Sequence, residues 1–154
     1  MPVDQVAYEA EGWGVGELVV AEGRVVWHEL PRVAVGARAD GHHPLVELLQ
    51  AYFAGEDVPL GEVPVDLEYE SSFFARCAEA LRAIPRGEVV TYGELAALAG
   101  APGAARAAGS FCARNRLGLF VPCHRVVAAG DLGSYGSYGI EYKRRLLELE
   151  GVTL

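Results

Sequence analysis

The stretch Thr91 to Ala113, TYGELAALAGAPGAARAAGSFCA, decides how the second half of the chain folds. Thr91 and Glu94 have capping-box spacing: the threonine hydroxyl can take the N–H of the third helical residue while the glutamate carboxylate reaches back to the cap. Leu95 to Leu98 continue that helix. Gly100-Ala101-Pro102-Gly103 then breaks it, because proline lacks the N–H a helix needs and glycine tolerates the conformations that end one. Ala104 to Ala113 follows as a second short helix rich in small residues. Helix, tight glycine-containing turn and helix make a helix-turn-helix pattern, an arrangement that often serves DNA.

Working outward, Ser71 and Ser72 can cap a helix running through Phe73, Cys77, Ala80, Leu81 and Ile84 and closed by Pro85-Arg86-Gly87. The chain ends in a helix whose apolar positions are Tyr142, Leu146, Leu147 and Leu149. The first half reads differently. Glu17 to Ala21 and Arg24 to Leu30 alternate apolar and polar residues around Glu22-Gly23, the pattern of an antiparallel hairpin. Pro44 to Phe53 has helical spacing, with Pro44 suited to the first turn and Gly55 to the end. Gly61 to Glu70 reads as an extended linker. The expected fold is α+β: an N-terminal hairpin-and-helix lobe with its linker over residues 1–70, and a helical C-terminal lobe over residues 71–154.

Of the 154 residues, 51% are hydrophobic and 22% charged, a globular composition. The opening MPVDQVAYEAEGW is acidic without an apolar core, so no secretory signal is expected, and no apolar run is long enough to cross a bilayer. The expectation is a soluble, cytoplasmic protein with no membrane partner. Cys77, Cys112 and Cys123 are an odd set without any Cys-x-x-Cys pair, which implies free thiols. His28, His42 and His43 have no cysteine nearby, so neither a metal nor another cofactor is expected, and His42-His43 before Pro44 reads as a solvated loop.

The net charge of −8 argues against a nucleic-acid partner until its distribution is followed. Residues 1–70 hold 14 Asp/Glu and 3 Arg, whereas residues 71–154 hold 7 Asp/Glu and 10 Lys/Arg. No acidic residue lies between Glu94 and Asp131, where Arg106, Arg114, Arg116 and Arg125 all fall. A local basic face can bind phosphates on an acidic protein, and a solvated arginine-bearing helix would look the same. Charge alone leaves both open.

Leu119-Phe120-Val121-Pro122-Cys123-His124-Arg125-Val126-Val127 is the segment that bears chemistry. Apolar residues surround an ionisable core inside what otherwise reads as a buried strand. Buried cysteines often only fill space, which suffices for Cys77 and Cys112. It does not suffice for Cys123, because a filler has no need of an imidazole and a guanidinium beside it. A neighbouring cation or base lowers a thiol pKa towards neutrality and favours the nucleophilic thiolate.

Pro122-Cys123-His124-Arg125-Val126 resembles the active-site signature of the O6-alkylguanine-DNA alkyltransferases, also called methylated-DNA–protein-cysteine methyltransferases. Residues 84–96 (IPRGEVVTYGELA), Ala104 to Gly109, Asn115 and Leu146 to Gly151 resemble the same family at the expected distances. The resemblance covers residues 71–151 closely and the first half loosely. It implies irreversible, single-turnover transfer of an alkyl group from O6 of guanine in duplex DNA to Cys123, with O4-alkylthymine a further possible substrate and the protein acting as a monomer. His124 would be the base, working through a bridging water because adjacent residues rarely pair side chain to side chain, and Glu150 would hold its tautomer. Asn115 would brace the turn that contains Cys123.

The target atom is stacked inside the duplex, so the resemblance also implies base flipping. Arg106 would fill the gap left by the base, and Tyr92 would crowd its phosphate and donate to the base edge. Ala105 and Gly109, with the other small residues of that helix, would let it press into the minor groove. Tyr135 and Gly136, in the glycine-rich loop Gly130 to Gly139, would line the alkyl pocket. Lys143 matches a family lysine, though it could simply be a solvated helix charge. The chain departs from the family at Phe73-Phe74 and Cys77-Ala78, which are packing positions. It departs again at Arg116, where proline is usual, which bears on the shape of the active-site turn. Two other readings stand beside this one: a non-catalytic helix-turn-helix module that recognises alkylated DNA and recruits other factors, and a cysteine hydrolase, disfavoured by the adjacency of Cys123 and His124.

Overall fold

Residues 3–66, 68–69 and 71–154 are described in the computed structural model, and the chain divides into two compact units. The first comprises residues 1–66 together with 116–120, and the second residues 67–115 and 121–154. The segment Arg116 to Phe120 thus belongs with the N-terminal unit, although both of its chain neighbours belong to the other.

In the first unit, β1 (Val3–Ala10), β2 (Gly14–Ala21) and β3 (Arg24–Arg32) form an antiparallel sheet in the order β1-β2-β3. The hairpin read from sequence is therefore two-thirds of a meander. Its first strand is not evident in the sequence because Val3 to Ala10 begins with three exposed residues and shows an inward face only at Val6, Tyr8 and Ala10. The β2–β3 turn is made by Glu22 and Gly23, both at positive φ (54° and 76°), which matches the twist of a tight hairpin. A register shift follows at once: Val19 pairs with Trp27 but Val20 pairs with Val25, so Val26 is the extra residue of a β-bulge. The bulge re-phases β3. Val25 (0% exposed), His28 (4%) and Leu30 (2%) face inward while Trp27 (40%) faces out.

Helix α1 (Pro44–Phe53) packs against β1, with Trp13 and Phe53 in ring contact and the Gln50 side chain donating to the Glu9 carbonyl at 2.8 Å. His43 is not a solvated loop residue: it is the N-cap of α1, its Nδ1 accepting from the Leu45 N–H at 3.1 Å. Of the expected linker over residues 61–70, Leu67 and Glu70 lie outside the described residues, and its first part is not simply extended. A 3-10 turn at Leu60–Glu62 is followed by buried Val63 and Val65, and Val65 bridges Val25 in parallel. The outer edge of β3 is thus paired by residues 64–66 at Val25 and by Arg116 and Leu117 at His28, which leaves those backbone groups satisfied.

In the second unit, Ser71 caps α2 (Ser72–Arg82), its hydroxyl accepting from the Phe74 N–H at 3.1 Å. The helix stops two residues short of Ile84. The capping box is present as read: Thr91 Oγ1 accepts from Glu94 N at 3.0 Å and Glu94 returns the bond to Thr91 N at 2.8 Å. It opens α3 (Tyr92–Leu98), which packs against α4 (Ala105–Ala113) across the Gly100–Gly103 turn, completing the helix-turn-helix. Cys77, Ala78, Leu81, Leu95, Ala96, Ala108 and Phe111 form the core between α2, α3 and α4, so Cys77 does fill space. Helix α5 (Ile140–Leu149) adds buried Leu146 and Leu147.

The segment 119–127 is not a strand. Only Val126–Val127 is extended (β5), pairing in parallel with β4 (Val90–Thr91), while Cys123–Arg125 is a single 3-10 turn. Pro122 explains the difference, since it brings no N–H to a ladder. The pairing sets the turn that carries Cys123 beside the start of α3. Among the described residues, no helix is long and apolar enough to cross a membrane.

Candidate active site

The Cys123 thiol lies at the start of the 3-10 turn and is 7% exposed. Asn115, two residues beyond the end of α4, sends its Nδ2 to both the Val121 carbonyl (2.8 Å) and Cys123 Sγ (3.2 Å). One amide group therefore ties the start of the turn and the sulfur to the end of the second helix. Tyr135 reaches the same sulfur from the glycine-rich loop with a side-chain hydrogen bond. Lys143 is near enough for its charge to act on the thiol. Gly136, next to Tyr135, is exposed and has φ 54°, with open space where a Cβ would stand.

His124 is held by Glu150. Its imidazole is fully buried, and Nε2 lies 2.7 Å from Glu150 Oε2. Burial opposes charge on Glu150, but the hydrogen bonds and charges of His124 and Arg125 outweigh it and hold the carboxyl well below the usual range. A carboxylate can only accept, so Nε2 carries the proton and Nδ1 keeps a lone pair. That Nδ1 is buried and has no hydrogen-bond partner among the described residues. Burial also lowers the imidazole's own pKa, so His124 is neutral.

One expectation is corrected here, and one open alternative is closed. Arg125 does not activate the thiol as a neighbouring cation: its guanidinium clamps Glu150, with Nε to Oε1 at 2.9 Å and Nη2 to Oε2 at 3.0 Å, and sends Nη1 to the Ile84 carbonyl at 2.7 Å. Accordingly the Cys123 pKa is raised, because burial outweighs the Asn115 and Tyr135 hydrogen bonds and the Lys143 charge. The resting sulfur is a thiol. Second, Lys143 is no solvated helix charge. It is 0% exposed, donates to the carbonyls of Val126 (2.6 Å) and Ser134 (3.1 Å), and lies 5.8 Å from the centre of the Tyr92 ring. It fastens the glycine-rich loop to β5. Sequence spacing gave no sign of that, since the carbonyls it binds lie 9 and 17 residues away.

Tyr92 opens α3 and hydrogen-bonds to Ser134. Gly133 must be glycine here: its φ is 74°, and a Cβ would stand 2.9 Å from the Tyr92 hydroxyl. On α4, Gly109 faces Tyr92, and a Cβ there would lie 3.9 Å from the ring. Ala105, one turn earlier, shares that face, and Arg106 is exposed beside it. The structure thus brings Cys123, Asn115 and Tyr135 together, gathers His124, Glu150 and Arg125 behind them, and sets Tyr92 against Gly109. Arg106 projects from the helix without joining either cluster.

Residues 72–152 match the family model described as 6-O-methylguanine DNA methyltransferase, DNA binding domain. The chain belongs to the 6-O-methylguanine DNA methyltransferase family. A methylated-DNA–protein-cysteine methyltransferase of Mycolicibacterium paratuberculosis is 46% identical over 129 residues, which cover 82% of this chain and 71% of the relative. A crystal structure of the Mycobacterium tuberculosis O6-methylguanine methyltransferase superposes with a TM-score of 0.78 at 33% identity, covering 97% of this chain and 93% of that one. A second structure, of the Mycobacterium tuberculosis protein in complex with DNA, gives 0.76 at 32% identity, covering 97% and 92%. Residues 72–152 of this methyltransferase-family chain are therefore a DNA-binding domain, and DNA is its partner.

Proposed function

We propose that this chain carries out direct-reversal repair of DNA, moving an alkyl group from O6 of guanine in the duplex onto Cys123. The observation that supports this reading best is the hydrogen-bonded cysteine with a carboxylate-held imidazole behind it, all carried on a DNA-binding unit. The sulfur attacks the alkyl carbon, an S–C bond forms and the C–O6 bond breaks. The thiol proton leaves through Nδ1 of His124, whose Nε2 is held by Glu150, by way of a bridging water. The proton is passed on through solvent to N1 of guanine as O6 is released, so the hydrogen lost by the thiol is the hydrogen gained by the base. Burial raises the pKa of the thiol, which favours a general-base step over attack by a preformed thiolate. The thioether product has no hydrolytic exit, so each molecule acts once.

Residues 71–154 are the DNA-binding and acceptor domain in this reading, and residues 1–70 the accessory lobe. Asn115 steadies the sulfur, and Glu150 fixes the tautomer of His124. Helix α4 enters the minor groove, where Ala105 and Gly109 permit close approach and Arg106 occupies the space of the flipped nucleotide. Tyr92 stands by its phosphate and base edge, and Tyr135 with Gly136 borders the alkyl pocket. The protein works as a cytoplasmic monomer on O6-alkylguanine, and O4-alkylthymine is the natural second substrate to try. Incubating a duplex that holds one O6-methylguanine with the protein and digesting it to nucleosides tests the reaction. Restored guanine with wild type and none with Cys123→Ala supports it; no restoration with either rejects it.

A further inference from the structure

We propose that His28 is a positioning residue for alkyl transfer, acting through the strained segment that joins Asn115 to Cys123. The role rests on the function proposed above. His28 occupies an inward position of β3, between Val25 and Leu30, where a sheet core calls for an apolar side chain. An imidazole there costs desolvation that leucine would not, so its presence asks for a reason. Both ring nitrogens are engaged: Nδ1 lies 2.7 Å from the Gly118 carbonyl oxygen and Nε2 lies 2.6 Å from the Tyr8 hydroxyl. The carbonyl can only accept, so Nδ1–H donates to Gly118 and Nε2 accepts from Tyr8.

The attachment extends beyond the ring. The His28 backbone N–H donates to the Arg116 carbonyl at 2.9 Å, and the Arg116 side chain returns a bond from Nε to the Val26 carbonyl at 3.2 Å. The Phe120 ring meets the His28 ring edge-on, with centroids 5.3 Å apart. Arg116, Gly118 and Phe120, three alternate residues, are thus all fastened to one residue of β3. Between the last two lies Leu119, buried and at φ 74°, a left-handed conformation that a branched aliphatic residue rarely adopts. Such strain persists only where the surroundings over-determine it, and it concentrates where function needs a fixed geometry. Asn115 immediately precedes this segment and Val121 follows it. The Asn115 amide spans the gap to Val121 and to Cys123 Sγ, so the loop is closed at its base on the reacting atom. Because the chain is continuous, a segment fastened at Gly118 and Phe120 and strained at Leu119 has less freedom at its two ends, Asn115 and Val121, which are the residues that hold the sulfur.

The test compares wild type with His28→Leu and His28→Asn in single-turnover methyl transfer, with duplex affinity measured separately. Leucine fills the inward position and preserves the sheet but cannot donate to Gly118. Asparagine packs less well but places an amide N–H near the site of Nδ1. The expected result is an inversion: His28→Leu is the more stable variant yet transfers roughly tenfold more slowly than wild type or worse, while His28→Asn recovers most of the rate, and both bind duplex like wild type. The pH profile of Cys123 alkylation by iodoacetamide should shift in His28→Leu and return in His28→Asn. Wild-type rate in His28→Leu overturns the role, as does a loss of rate in His28→Asn as deep as in His28→Leu. A wild-type protein that accepted no methyl group would instead overturn the proposed function itself.

Discussion

Acidification should destabilise this protein through His28. The ring is buried among Tyr8, Phe120 and the Gly118 carbonyl, and burial lowers its pKa from 6.5 to about 4. In the unfolded chain the same imidazole takes up a proton near pH 6.5, so between these two values the unfolded state binds more protons and stability falls as pH falls. At about pH 4.5, nearly the whole window has been crossed. With ~1.4 kcal/mol per pKa unit, the loss relative to neutral pH is about 2.5 kcal/mol, a large fraction of a typical domain's stability. His124, also held neutral by burial, adds a loss of the same sign. Glu150 works in the other half of the scale: its folded pKa is depressed, so the stability it brings is lost only as pH falls below the ordinary carboxylate range. Urea unfolding at about pH 7 and about pH 4.5, on wild type and on His28→Leu, isolates the His28 contribution. The variant should lose about 2.5 kcal/mol less than wild type over that interval. Parallel losses in the two proteins would show that the buried imidazole is not what titrates.

Three further outcomes follow from the site. Asn115→Ala removes the donor to the sulfur, so transfer measured by rapid quench should slow by roughly ten- to a hundredfold, the worth of one hydrogen bond to a charged group, with duplex affinity unchanged. Glu150→Ala leaves buried His124 and half-buried Arg125 without their carboxylate, and chemical denaturation should report a loss of about 3–5 kcal/mol alongside inactivity; an active variant of wild-type stability would refute the clamp. Arg106→Ala, an exposed change, should leave the melting temperature in place and weaken binding to alkylated duplex while reducing its salt dependence; unaltered affinity would remove Arg106 from the interface.

Local rules made much of the second unit legible. The Ser71 cap, the Thr91–Glu94 box and the Gly100–Gly103 break each depend on residues a few positions apart, and each stands in the structure where the sequence placed it. The family match followed from Pro122 to Val126 and its spacing. What was not legible depends on distant partners. Lys143 looked like surface charge because its carbonyl partners belong to the loop and to β5. Arg125 looked like a thiol activator because sequence adjacency says nothing of direction, and its side chain turns to Glu150, 25 residues on. The inward rotation of His28 comes from a one-residue bulge at Val26, which strict alternation hides, and its partner Gly118 lies 90 residues away. The strand expected at 119–127 failed at Pro122, where the chain trades a ladder for the turn that presents the cysteine.

The central claim is that Cys123 accepts one alkyl group and keeps it. Intact-mass spectrometry after incubation with excess duplex containing a single O6-methylguanine, followed by peptide mapping, tests it most directly. The account predicts an increase of one methyl group, saturating at one equivalent, located on Cys123 and absent from Cys123→Ser. An unchanged mass while the protein binds the damaged duplex selectively, or a methyl group found on Cys112 or Cys77, would contradict it.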